Sequence, residues 1–227
     1  MRTSPFVFVA LLSAACTRPE SGPGDDESPV VGGCPDTPSA DPFIPCVDAF
    51  EPASDASFGH DAMPDIVLGP PHGAQGADAS VDVVSLGCGG RITVDFGDDG
   101  IVDGPGPDFT VFENPFPVRE ETFAEPAAVL VSDDGLTWSS FACHTGEGWP
   151  ASGCAGVQLV AASPDNGLAT DPDRSGGDHF DLADLGLDAI RYVRLIDRSV
   201  EYYGDRSWCG PLGGFDLDAI ARVEDAP

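Results

Sequence analysis

Arg91 to Phe116, RITVDFGDDGIVDGPGPDFTVFENPF, contains two strand patterns and the acidic stretch that joins them. Residues 91–96 alternate, with Ile92, Val94 and Phe96 on one side, which is the period of a half-buried strand. Asp108 to Asn114 is apolar on both sides and predicts a central strand covered on two faces. Between them glycine, proline and aspartate dominate, the residues of turns rather than of helix. Five aspartates (Asp95, Asp98, Asp99, Asp103 and Asp108) crowd this segment, and Glu113 and Asn114 follow at the far end of the second strand. Water, a cation or hydrogen-bond donors must absorb that charge.

The same punctuation continues outward. AAVLVS (127–132) and LTWSSFA (136–142) predict a hairpin whose loop is Asp133, Asp134 and Gly135. Residues 156–161 suggest another short strand. RYVRLID (191–197) reads as a strand with Arg191 and Arg194 facing outward. FDLDAIARV (215–223) puts Phe215, Leu217, Ala219, Ala221 and Val223 inward and Asp216 and Asp218 on the other face. Only DLADLGLDAI (181–190) suggests helix, and Gly186 limits it to a turn or two. With 28 glycines and 22 prolines and no alternation of strands with helices, the chain predicts an all-β fold. Its expected form is an antiparallel two-sheet β-sandwich with at most one or two short helical turns.

The N-terminus carries an export pattern. Arg2 precedes the apolar run FVFVALLSAA (6–15), which is too short for a membrane span and ends in small residues, as a secretory signal does. The run stops at Cys16, and LLSAAC (11–16) resembles the lipobox of bacterial lipoproteins, with Ser13 where leucine is usual. That resemblance implies cleavage before Cys16 and a lipid on its thiol. The alternative is ordinary cleavage after Ala15. Residues 1–15 are then signal, 16–46 a Pro/Gly/Asp-rich tether without an apolar period, and 47–227 one domain. The expected location is the outer membrane or cell surface, with the N-terminal lipid as the only membrane contact.

Cysteine usage agrees with export. Seven cysteines, less Cys16, leave an even number in an exported chain. Spacing favours Cys34 with Cys46, Cys143 with Cys154, and Cys88 with Cys209. No zinc spacing occurs. The chain has 39 acidic residues against 10 basic ones, all arginine, for a formal charge of -29. That balance excludes nucleic acid and anionic lipid surfaces as partners, because both need basic patches. It suits a solvated protein able to hold divalent cations.

Seven segments come in a familiar order: VLGPPHG (67–73), VSLGCGGRITVDF (84–96), DGPGPDFTVFENPF (103–116), FAEPAAVLVSDDG (123–135), GGDHFDLADLGL (176–187), YVRLID (192–197) and GGFDLDAI (213–220). Together they resemble a family of bacterial cell-surface proteins and lipoproteins. The family looks like a jelly-roll sandwich, similar to galactose-binding-like and carbohydrate-binding modules. The resemblance implies fold and location and says little about activity. In calcium-bearing sandwiches of that kind, a carboxylate near the domain start and an aspartate in the closing strand share a structural Ca²⁺. The matching positions are Glu51 with Asp216 or Asp218; the plain alternative is that alternating aspartates mark a solvent face.

Three further candidates come from the residues. Asp95, Asp99, Gly100 and Asp103 match four positions of an EF-hand loop, but Gly97 and Gly106 stand where two ligands belong. A looser Ca²⁺ cage from Asp95, Asp99 and Asp103 competes with a turn capped by its own aspartates. Glu113, in an apolar strand, needs a partner, and Arg191 and Arg194 are the expected ones, forming a structural ion pair. Glu113 and Glu125 could instead act as acid and base. Trp149, Tyr202, Tyr203 and Trp208 lie in or beside expected loops, where aromatic faces suit sugar stacking or protein contact; Trp138 is expected in the core. No nucleophile, metalloprotease or phosphate-loop motif is present. The chain therefore reads as a binding module for a glycan or surface protein. A polysaccharide hydrolase and a purely structural or adhesive protein are the alternatives.

Overall fold

The computed structural model describes residues 34–35, 39–73, 80–118, 121–146 and 151–223. The signal, Cys16, most of the tether and Trp149 lie outside the described residues. The strands in chain order are β1 (Cys46–Glu51), β2 (Val84–Ser85), β3 (Arg91–Asp95), β4 (Ile101–Val102) and β5 (Phe109–Phe112). They continue with β6 (Phe116–Val118), β7 (Glu121–Phe123), β8 (Ala127–Ser132), β9 (Ser139–Ser140) and β10 (Asp178–Phe180). The last are β11 (Ala189–Ile190), β12 (Tyr192–Asp197), β13 (Asp216–Leu217) and β14 (Ala219–Arg222).

The fold is all-β. A five-stranded antiparallel sheet runs β1-β3-β12-β8-β9, and a three-stranded one runs β10-β5-β14. Between them lies the main core. Ile92, Val94 and Phe96 on and just after β3, Val129 and Val131 of β8, and Val193 and Leu195 of β12 meet Phe109, Val111 and Ile220. Strand β5 is buried along its whole length because its other face packs Phe112 against Ala219, Ala221, Val160 and Ala162. The continuous apolar run 109–112 is thus the mark of a strand covered twice. Each fully buried phenylalanine among Phe50, Phe96, Phe109, Phe112 and Phe215 contributes about 1.5–3 kcal/mol by leaving water.

All three expected disulfides are present: Cys34–Cys46, Cys88–Cys209 and Cys143–Cys154. Cys88–Cys209 closes a separation of 121 residues, the kind of long loop that loses most unfolded-state entropy on bridging. It brings the glycine-rich segments 87–90 and 213–214 together. Gly214 has φ +89°, and a Cβ there would stand 2.5 Å from the carbonyl carbon of Gly87. Only a residue without a side chain allows that backbone approach.

Several expectations needed correction. The 133–135 loop is wider than a three-residue hairpin, since Val131 pairs with Ser139. Asp134 accepts hydrogen bonds from the Leu136 and Thr137 N–H groups at 2.8 and 2.7 Å, which withdraws both from the ladder. Trp138 is half-buried outside the core, with the Arg194 guanidinium 3.9 Å from its ring centre. Residues 156–161 form only a bridge, Val160 to Gly176, because Gly156 bends the chain closely past Phe215. The 181–190 segment holds a 3-10 turn at Leu182–Leu185, whereas the one α-helix among the described residues is α1 (Ser199–Tyr203). The packed chain begins before Val47: Phe43 bridges Ala221, and Ile44 is buried. No described helix is long and apolar enough to cross a membrane.

Candidate functional site

Ten arginines cannot neutralise 39 carboxylates, and the buried acids mostly find other donors. Asp197 accepts from the N–H groups of Gly89, Ser199 and Phe215 and from the Ser199 hydroxyl. Asp178 accepts from Val157 and Gln158. Asp218 accepts from the His72 and Gly73 N–H groups at 3.0 Å. In each case a carboxylate pins a distant loop to the sandwich, because charged acceptors make the stronger hydrogen bonds to backbone N–H.

This pattern separates the residues of the expected calcium sets. Glu51, on the edge strand β1, is exposed and forked onto Arg91, with one oxygen 2.7 Å from Nη2. It does not join Asp216 or Asp218 in any acidic cluster among the described residues. Asp218 is committed to the His72–Gly73 loop, and both Asp216 and Asp218 are buried rather than on a solvent face. Asp95, Asp99 and Asp103 are not brought together among the described residues either. Asp95 is buried under Arg191, which donates through Nε at 2.7 Å and Nη2 at 2.8 Å, and Asp95 caps Gly97 as well. Asp99 is exposed. Asp103 lies instead near Asp108 and Asp181. There Asp108 accepts from the Gly104 and Leu182 N–H groups at 2.7 Å each, and Asp181 caps Ala183.

The expected ion pair of Glu113 with Arg191 and Arg194 is not formed. Arg191 serves Asp95 and Asp98, and Arg194 donates to Thr93 while lying over Trp138. Arg194 stands on β12 in the five-stranded sheet and Arg191 immediately before it, whereas Glu113 follows β5 in the other sheet.

Glu113 meets two other carboxylates. Glu125, in the turn between β7 and β8, and Asp216, in β13, close on it until ligand oxygens of all three lie within 4.8 Å of one another. All three residues are buried, at 2 %, 4 % and 8 % exposure for Glu113, Glu125 and Asp216. Glu125 accepts from the Gly214 N–H at 2.6 Å, which is what the Gly87–Gly214 approach makes reachable. Glu113 Oε2 and Asp216 Oδ1 have no hydrogen-bond partner among the described residues. Burial, reinforced by the neighbouring carboxylates, pushes the Glu113 carboxyl well above its ordinary range. It raises Glu125 to about 9 and Asp216 to about 7.

Glu125 and Asp216 line a cleft of about 490 Å³ together with Asn114, Phe116, Phe123 and the 208–213 loop. Its aromatic wall is built across a hairpin: Phe116 of β6 pairs with Phe123 of β7, ring centres 5.0 Å apart. Phe123 meets Trp208 at 5.7 Å and Tyr203 at 6.1 Å, and Trp208 remains 53 % exposed. Tyr203 braces this wall, its hydroxyl donating to the Ala124 carbonyl at 2.7 Å. Of the four aromatic candidates, Trp208 lines the cleft and Tyr203 stands behind it. Tyr202 packs beside the Cys143–Cys154 cluster instead, and Trp149 lies outside the described residues.

No family model, curated protein or solved structure matches the chain. The site therefore rests on its own geometry.

Two features were missed in the sequence. Phe116 and Phe123 fall outside every strand that the sequence predicts, and the prolines of NPFPV gave no sign of a hairpin. The meeting of Glu113 and Glu125 with Asp216 had one available signal. An acid in an apolar strand of a chain so poor in bases has few chances of an arginine partner. A second cleft, of about 530 Å³, is lined by His144, His179 and Asp184 among others. Its His179 Nδ1 is 2.8 Å from Thr110 Oγ1, and no triad of metal-ligating groups assembles there among the described residues.

Proposed function

We propose that this protein is a lipid-anchored cell-surface binding module whose ligand is a glycan or another envelope component held in the Phe116–Phe123–Trp208 cleft. The carrying observation is the composition of that cleft: an aromatic wall with exposed Trp208 facing Asn114, Glu125 and Asp216. Aromatic faces take the apolar faces of sugar rings, and a few convergent polar groups orient hydroxyls. The lipobox-like LLSAAC and the disulfides support an exported, anchored protein. The galactose-binding-like, jelly-roll kinship suggested by the motifs accords with this reading.

A glycan array followed by titration calorimetry on the purified protein tests it. Trp208→Ala is expected to weaken binding about tenfold or more, the effect of losing one good stacking contact. Failure to retain any glycan, or an unchanged affinity in the variant, overturns the reading.

A polysaccharide hydrolase is the second reading, favoured by two carboxyls with raised pKa on one cleft. The arrangement favours it less. Glycoside hydrolysis needs two carboxyl groups flanking a scissile bond, roughly 5 Å or more apart. Glu113, Glu125 and Asp216 converge on one point instead.

A further inference from the structure

We propose that Glu113, Glu125 and Asp216 form a binding site for one hard divalent cation, Ca²⁺ before Mg²⁺, reached through the aromatic cleft. Ca²⁺ takes oxygen ligands at about 2.4 Å, so two ligands of one ion stand at most roughly 4.8 Å apart. One oxygen from each of the three carboxylates lies within 4.8 Å of the other two, a spacing that one ion can bridge.

The observation independent of acidity is the pair of orphan oxygens. Glu113 Oε2 and Asp216 Oδ1 are buried without a hydrogen-bond partner among the described residues. The other buried aspartates, Asp95, Asp108, Asp178, Asp197 and Asp218, are each tied to backbone N–H groups. An unsatisfied buried carboxylate oxygen is costly, and three carboxyls in contact cannot all ionise without a counter-charge. Arg191 and Arg194, the arginines expected beside Glu113, are engaged in the other sheet.

The donor set chooses the ion. Three carboxylates with no cysteine or histidine suit a hard cation. Ca²⁺ accepts the irregular geometry of ligands drawn from three separate segments, whereas Mg²⁺ demands near-ideal octahedral positions. Glu125 and Asp216 open onto the cleft, so water can complete the coordination. Gly214 fixes Glu125 by its N–H at 2.6 Å, leaving the second oxygen of that carboxylate for the ion. Of the calcium positions expected from the sequence the site keeps only Asp216, and it stands independently of the glycan reading.

The test is titration calorimetry and thermal melting of the purified, chelator-treated protein with CaCl₂ and MgCl₂ at pH 7.5. One Ca²⁺ per chain and a Tm that rises with Ca²⁺ concentration are expected, since a ligand of the native state alone stabilises it by mass action. Glu113→Gln and Asp216→Asn are expected to reverse sign between conditions. In chelator each melts at or above the parent, because one fewer acid crowds the buried cluster; in Ca²⁺ each melts below it. Asp103→Asn and Trp208→Ala should keep the full Ca²⁺ response. If neither cation produces heat or a Tm shift at 10 times the protein concentration and above, or if the response survives in both Glu113→Gln and Asp216→Asn, the proposal is overturned. Loss of glycan binding in Trp208→Ala with the Ca²⁺ response intact separates the cation site from the ligand reading.

Discussion

Two acidic triads stand among the described residues, and they differ in how far the backbone satisfies them. Asp103, Asp108 and Asp181 gather at the glycine-rich loop 103–107 and the Leu182–Leu185 turn. Asp108 uses both of its oxygens on backbone N–H groups, and Asp181 caps a helical turn. Glu113, Glu125 and Asp216 gather beneath the aromatic cleft, and two of their oxygens are left over. Charge count does not distinguish them. What differs is how many acceptor atoms the loop amides reach: both oxygens of Asp108, but neither Glu113 Oε2 nor Asp216 Oδ1. Acidic residues in number are thus a poor guide to ion binding, and unmatched acceptor atoms are a better one.

The contrast can be broken hardest at Gly214. A Cβ at this position meets the Gly87 backbone, and φ +89° is itself unfavourable for other residues. Gly214→Ala is expected to cost about 3–5 kcal/mol, combining backbone strain with overpacking. It would also move the N–H that holds Glu125. Urea denaturation would show the loss, and a change under about 1 kcal/mol would mean the two loops do not depend on their close approach.

A smaller effect sharpens the amide-satisfied side. Asp108→Ala strands the N–H groups of Gly104 and Leu182, at a cost of about 2–4 kcal/mol. Asp108→Asn should recover much of that, because its carbonyl oxygen still accepts. Equal losses in the two variants would show that charge, rather than acceptor geometry, matters there.

The smallest expected effect lies at Asp178, which is amide-bonded yet deeply buried. Burial raises its carboxyl to about 7 despite the Val157 and Gln158 N–H groups. Because the folded pKa lies above the ordinary value, this stabilising contribution is complete below about pH 4 and fades as pH rises through 7. In chelator, Tm should fall from pH 6 to pH 8.5, and the fall should be shallower in Asp178→Asn. Glu125 and Asp216 act in the same direction, so a residual slope remains. A variant slope equal to the parent's would remove Asp178 from the account.

The sheets were legible where side chains alternate or where both faces are apolar. RITVDF, YVRLID and FTVF each lie where their patterns place them, because burial on a pleated sheet imposes a period of two. The three disulfides were legible from spacing. The short helix at SVEYY was not, since five residues carry no usable period. Nor was the Phe116–Phe123 hairpin, whose pairing is visible only once the two strands face each other.

By itself, then, the sequence determined an all-β, disulfide-braced fold and a scarcity of positive charge, because periodicity, cysteine spacing and composition are local or additive properties. Only the tertiary structure decided which carboxylates keep company. Arg191 went to Asp95 and not to Glu113, Glu51 went to Arg91, and Asp216 came to Glu113 and Glu125. Those partnerships depend on strand order and on which loops turn their amides inward. Both are set by how the two sheets close over a common core, which no short stretch of the chain encodes.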